Sequence, residues 1–135
     1  MKIKVIKYNN FKMPVRAHYN DSGADVFATA AYTIKPNEIK ALATGVGIEL
    51  PDGYDAIIAC KSSLSSNGLI AMNAPIDSGY RGEIHTILAN ISDHDICIEQ
   101  GQKIGQIVVR PVIYCDFVEQ FDCQREGNAF GSTGK

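Results

Sequence analysis

No stretch of this chain approaches the ~20 consecutive apolar residues that a membrane-spanning helix needs, so no membrane span is expected. The opening MKIKVIKYNN is too short and too charged to serve as a secretory signal. Paired cysteines are also missing. Cys60, Cys97, Cys115 and Cys123 are scattered with no C-x-x-C spacing, and so are His18, His85 and His94, which argues against a zinc centre. Isolated cysteines in apolar runs, such as Asp95-Ile-Cys-Ile98, read as small core residues. A reducing cytoplasmic setting follows, that of a host cell if the source is a phage or virus. Strong charge of one sign is absent too. Thirteen Lys and Arg against 15 Asp and Glu give a formal net charge of −2, so no nucleic-acid partner is expected. A free nucleotide stays open, because it needs only a local cluster of donors. Finally, no helical stripe of ten or more residues occurs; the nearest is about one turn around Ser62–Asn67.

What is there is a series of short β-like runs: 2–7, 24–28, 32–35, 39–50, 54–60, 83–89, 95–98 and 104–113. Lys2-Ile-Lys-Val-Ile6 and Ile84-His-Thr-Ile-Leu88 alternate at period two. Turn signals such as Lys35-Pro-Asn37, Pro51-Asp-Gly53, Ser78-Gly79 and Gln100-Gly101 separate the runs. Without linker, repeat or low-complexity tract, the pattern predicts one all-β domain over 1–124, a jelly-roll-type barrel or sandwich. Residues 125–135, REGNAFGSTGK, form a separate tail.

Five places carry unusual chemistry. In Ser22-Gly-Ala-Asp-Val26, Gly23 permits close backbone approach and Asp25 leads an apolar stretch; a strand-edge Asp serving its own turn is the plain alternative. Cys60-Lys-Ser-Ser-Leu-Ser-Ser66 offers Ser62 and Ser63 as helix caps. The same turn, with Lys61, would suit a phosphate. Asn73-Ala-Pro-Ile-Asp-Ser-Gly-Tyr-Arg-Gly-Glu83 suits a hairpin that presents backbone to a flat ligand and holds one carboxylate, Asp77, beside it. Such a carboxylate can orient or deprotonate water; an ordinary turn Asp is equally compatible with the residues. Gln106 breaks into a run that would otherwise be a buried strand, and its amide needs partners. The tail combines Arg125, one isolated aromatic, Phe130, and the donors Ser132 and Thr133, a set fitting either a phosphate or a frayed terminus.

These five segments, in this order and at this spacing, resemble the homotrimeric dUTP pyrophosphatase (dUTPase) family over residues 3–134, with YRGE and FGSTG as the most specific pieces. The resemblance implies a jelly-roll domain, three chains sharing three active sites, and hydrolysis of dUTP to dUMP and pyrophosphate with Mg²⁺ bound to the triphosphate and water, without direct protein ligands. It implies that Asp77 activates the attacking water and that Tyr80 lies against the deoxyribose. The backbone of 73–77 (Asn73, Pro75 and Ile76 among them) would read uracil. Lys61, Ser62 and Ser63 would form the phosphate turn, and Gln106 would contact the α-phosphate. Asp25 has a supporting part, and His85 is taken as a further substrate-binding candidate. Arg125, Phe130, Gly131, Ser132 and Thr133 would form an arm that closes over the nucleotide.

The chain departs from the family at two points. Lys61 stands where an arginine is usual, keeping the charge without the planar fork. Asn128-Ala129 precede Phe130 where glycines are usual. Among related readings, a dCTP deaminase would need a proton-shuttling glutamate where this chain has Ile87. A phage-type regulatory protein acting through a protein partner stays open as an added role, with Asp77 and the arm both present.

Overall fold

A computed structural model describes residues 1–120. Its strands are β1 (Lys4–Lys7), β2 (Ala24–Phe27), β3 (Tyr32–Ile34), β4 (Ile39–Ala43), β5 (Val46–Glu49), β6 (Tyr54–Ala59), β7 (Leu69–Ala71), β8 (His85–Asn90), β9 (Ile96–Ile98) and β10 (Lys103–Pro111). One short helix, α1 (Ser62–Ser66), sits between β6 and β7. The fold is all-β, as the turn-rich, strand-rich sequence predicts.

Antiparallel pairing groups the strands as β1-β5, β2-β10-β6, β3-β9 and β4-β8-β7. Period-two alternation assigns the faces. In β8, Thr86, Leu88 and Asn90 are buried while His85, Ile87 and Ala89 take the other side. Val26, Ile34, Leu42, Val46, Ala56, Leu69, Leu88 and Ile104, each 0 % exposed, form the centre of the core. Burying a side chain of this size contributes about 1.5–3 kcal/mol relative to exposure.

The run 39–50, expected as one strand, is two. Gly45 has φ +70, a backbone that other residues adopt only with strain. A Cβ there would meet Asn9 O at 3.0 Å and Phe11 Cα at 3.1 Å. The turn sends β4 to β8 and β5 to β1. A second strand went unpredicted: β7, at three residues, is too short to display an alternation. Cys97, expected in the core, is exposed. Ile96 and Ile98 take the inner positions of three-residue β9, which puts Cys97 outward.

β7 and β8 form a hairpin, in the register Leu69↔Asn90 and Ala71↔Leu88, and residues 72–84 are its long loop. That loop carries much of the chemistry anticipated above. The far end of the hairpin is secured by Asn90, 1 % exposed. Its Nδ2 donates to the carbonyls of Ile34 and His94, both at 2.8 Å. Its Oδ1 accepts from the Ser92 N–H at 2.9 Å and the Ser92 hydroxyl at 2.7 Å. Asn90→Ala removes all four bonds and leaves the Ile34 carbonyl without its side-chain donor. The expected loss, read from urea unfolding of the two proteins, is about 2–3 kcal/mol.

Candidate active site

The loop 72–84 and the start of β8 enclose a cleft of about 250 Å³, lined by Ile58, Asn73, Ala74, Pro75, Ile76, Asp77, Tyr80, Glu83, Ile84, His85 and Ile87. Its volume is just below the range of about 300–1,000 Å³ usual for small-molecule sites. The side chain of Asn73 is committed to the wall. Its Nδ2 donates to Ile58 O at 2.9 Å, and its Oδ1 accepts from the Ile87 N–H at 2.8 Å. The loop is tied again at Ile76, which exchanges backbone bonds with Ala56 at 2.7 and 3.0 Å. Between these two anchors, the backbone N–H and C=O of Asn73 and the N–H of Ala74 have no partner among the described residues. A short length of rigid, unpaired backbone therefore edges the cleft.

Asp77 follows directly. It is exposed, and its carboxylate makes no hydrogen bond or ion pair among the described residues. Its carbonyl accepts from the Tyr80 N–H at 3.0 Å, closing the turn that carries Tyr80. The Tyr80 hydroxyl donates to Glu83 O at 2.9 Å, and the hydroxyl end of its ring sits against Gly82, where a Cβ would meet Cζ at 2.7 Å. Arg81 braces the same turn, its Nη1 donating to Ser78 O at 2.6 Å and Tyr80 O at 2.9 Å. Glu83 Oε1 accepts from the Gly45 N–H at 2.9 Å. The aromatic face of Tyr80 is thus fixed without reference to any ligand. His85 is exposed, with Nδ1 3.2 Å from Glu83 O.

A second cluster gathers on the β2-β10-β6 sheet. Asp25, 5 % exposed, pairs with two cations: Oδ1 with Lys61 Nζ and Oδ2 with Lys103 Nζ, both at 2.8 Å. Burial disfavours the charge on Asp25, but hydrogen bonds from Lys103 and Lys61, and their charges, outweigh it and lower its pKa. Gln106 lies opposite Asp25 across the ladder and opposite Ala59 on its other side. Gly23 lets the chain pass close: a Cβ there would meet Gln106 Cβ at 2.7 Å and Oε1 at 2.9 Å. The Gln106 amide itself makes no hydrogen bond among the described residues.

Ser62 and Ser63 do not cap α1, contrary to expectation. The N-cap is Lys61, with no side-chain capping bond, and the two serines are the first residues of the helix. Both are exposed, and neither hydroxyl has a partner among the described residues. Asn73, Pro75, Ile76, Asp77, Tyr80 and His85 share the cleft. Asp25, Lys61 and Gln106, with Ser62 and Ser63 just beyond, belong to the second cluster. Arg125, Phe130, Gly131, Ser132 and Thr133 lie outside the described residues. Sequence reasoning missed Lys103. Three positions from Gln106, it would face the opposite way in a regular strand. A register shift between Lys103 and Gly105 returns both to the Asp25 side.

The described residues thus form an all-β domain with two polar features, a cleft edged by braced, unpaired backbone with a free carboxylate beside it and a cationic cluster on the β2-β10-β6 sheet. The family model described as dUTPase matches residues 9–134, and the chain belongs to the dUTPase family. It is 40 % identical over 141 residues to the deoxyuridine 5'-triphosphate nucleotidohydrolase of Clostridium tetani, covering 100 % of this chain and 97 % of that protein. A mutant of the Staphylococcus bacteriophage 80alpha dUTPase, solved with dUpNHpp, superposes with a TM-score of 0.87 at 26 % identity, covering 99 % of each chain. A mutant dUTPase from phage phi11 of S. aureus, whose structure concerns coordination of a structural Mg(II) ion, has a TM-score of 0.83 at 23 % identity and covers 90 % of this chain and 98 % of its own.

The Asp25 cluster makes a stability prediction. Because the folded-state pKa lies below the unfolded one, ionised Asp25 contributes stability above the unfolded value. That contribution is lost as pH falls through the folded value. Wild type should melt higher than Asp25→Asn at near-neutral pH, and the gap should narrow steadily below about pH 4. The check is a pH series of thermal melts on both proteins.

Proposed function

We propose that the chain hydrolyses dUTP to dUMP and pyrophosphate. The observation that carries the reading is the unpaired backbone of Asn73 and Ala74 directly beside the unengaged carboxylate of Asp77, in a chain of the dUTPase family. Uracil presents a donor and acceptors along one edge, and backbone N–H and C=O groups held rigidly in line complement them. Fixed backbone serves this task better than side chains, because it cannot rotate to accept cytosine's reversed pattern. Apolar Ile58 and Ile87 contribute to the cleft wall, and the Tyr80 ring packs against the sugar, leaving no space for a ribose 2′-hydroxyl.

Chemically, one water attacks the α-phosphorus. Its proton passes to the Asp77 carboxylate, the α–β bridging P–O bond breaks, and pyrophosphate leaves with the bond electrons. No covalent intermediate is needed. Lys61, Ser62, Ser63 and Gln106 hold the phosphate oxygens, and Asp25 has a supporting part without touching them. Arg125, Ser132 and Thr133 of the arm would complete the terminal phosphate's contacts, while Phe130 would stack on uracil and Gly131 would let the backbone come close to the nucleotide. Among the described residues no group of three or more His, Cys, Asp or Glu is arranged to hold a metal; Mg²⁺ would arrive bound to the triphosphate, with the Gln106 amide contacting its waters. Mg²⁺ carried by the triphosphate would offset its negative charge.

Assembly as a homotrimer with shared sites belongs to the same proposal. Ile113, Tyr114, Phe117 and Val118 are 89, 69, 96 and 85 % exposed, an apolar series that a second copy of the chain would cover. Free cysteines at Cys60, Cys97 and Cys115 suit a reducing cytoplasm. The test is Asp77→Asn, which keeps shape and removes the base. Turnover of dUTP should fall by about 10²–10⁴, while calorimetry shows dUpNHpp still binding. Unchanged turnover would remove Asp77 from the mechanism.

A further inference from the structure

The Asp25 cluster holds one more cation than its single carboxylate requires. Lys61 and Lys103 each donate to a different oxygen of a carboxylate that is 5 % exposed. Two positive charges on one negative leave a net charge of +1. The arrangement is built: the β10 bulge between Lys103 and Gly105 is what brings Lys103 to the side occupied by Asp25 and Gln106. Gly105 allows that bulge to pack, since a Cβ there would meet Ile58 Cγ2 at 2.7 Å. The two lysines are not equivalent. Lys61 is the more buried, at 23 % side-chain exposure, and leads into the phosphate turn, whereas Lys103 is at 49 %.

We propose that Lys103 is a positioning residue for phosphate binding: it keeps Asp25 paired so that Lys61 can leave Asp25 for the incoming triphosphate. The physical need is plain. A lysine that moves from a buried carboxylate to a phosphate leaves an uncompensated buried charge, and that penalty would be charged against binding. With Lys103 in place the carboxylate retains one counter-ion throughout. Lys61 then exchanges one anion for another at little net cost. The inference rests on the dUTPase reading and extends it to a residue that touches no substrate.

The experiment uses the full chain in Mg²⁺ buffer and measures dUpNHpp affinity by calorimetry, with KM and kcat for dUTP alongside. Lys103→Met should weaken dUpNHpp binding by about tenfold, because Lys61 is then the one cation left on Asp25 among the described residues. KM should rise in parallel, with a smaller change in kcat. Lys103→Arg should restore both. The decisive variant is Asp25→Asn combined with Lys103→Met. With no carboxylate to abandon, Lys61 is free, and affinity should return toward wild type. A double variant weaker than Lys103→Met alone would show that the pair merely supports the fold and would overturn the proposal. So would a Lys103→Met protein with wild-type affinity. A wild-type chain that fails to bind dUpNHpp would instead overturn the dUTPase reading on which the proposal stands.

Discussion

β10 has to satisfy hydrogen bonds on both of its edges at once, and most of the molecule follows from that requirement. It runs from Lys103 to Pro111 with β2 on one side and β6 on the other. A strand paired twice has no freedom to slide, because a shift of one residue would turn Ile104, Ile107 and Val109 away from the core. The one irregularity, between Lys103 and Gly105, is therefore a fixed feature. It sets which side chains of β10 meet Asp25 from β2 and the chain that leaves β6 toward Lys61. The cationic cluster is a consequence of sheet register, and its precision is that of the sheet.

The cleft depends on a different economy of hydrogen bonds. Loop 72–84 would be a wide, unpaired excursion without the Asn73 amide and the Ile76–Ala56 bridge, which tie it to β6 and β8. These anchors immobilise the intervening backbone while leaving its own donors and acceptors unspent. Tyr80, Arg81 and Glu83 use the same device in the turn that follows, each bonding main-chain groups within the turn or, for Glu83, at Gly45. The cleft edge is thus held in place by the protein's own bonds, and in the function proposed above that preorganisation is the source of selectivity.

Alternation and turn residues were enough to read the all-β class, most strands and the single helical turn, because these depend on neighbours in sequence. The segments of chemical interest were visible too, as polar or glycine-rich breaks in apolar runs. What escaped depends on distant partners. Gly45 divides 39–50 because Asn9 and Phe11 crowd it, and nothing local marks a glycine between Thr44 and Val46 as a turn. That the Asn73 side chain is taken up by Ile58 and Ile87, leaving only its backbone to face the cleft, is visible only in three dimensions. Lys61 reads as a free phosphate cation until Asp25 is found beside it. Lys103 was hidden by the bulge, which reverses the parity on which strand reasoning relies.

In the proposed function, fixed backbone and a fixed aromatic ring select one nucleotide for attack by a carboxylate-activated water. Pyrophosphate release measured for the full chain with Mg²⁺ on dUTP, dCTP, dTTP and UTP tests it most directly. dUTP should be hydrolysed with a kcat/KM at least about 10² above that of dCTP or UTP, the discrimination expected where a mismatched base leaves buried polar groups unpaired or an added hydroxyl clashes, whereas dTTP, which keeps uracil's hydrogen-bonding edge and adds one methyl, should be disfavoured by about 10–200-fold. Comparable rates on UTP or dCTP, or no release from dUTP, would contradict it.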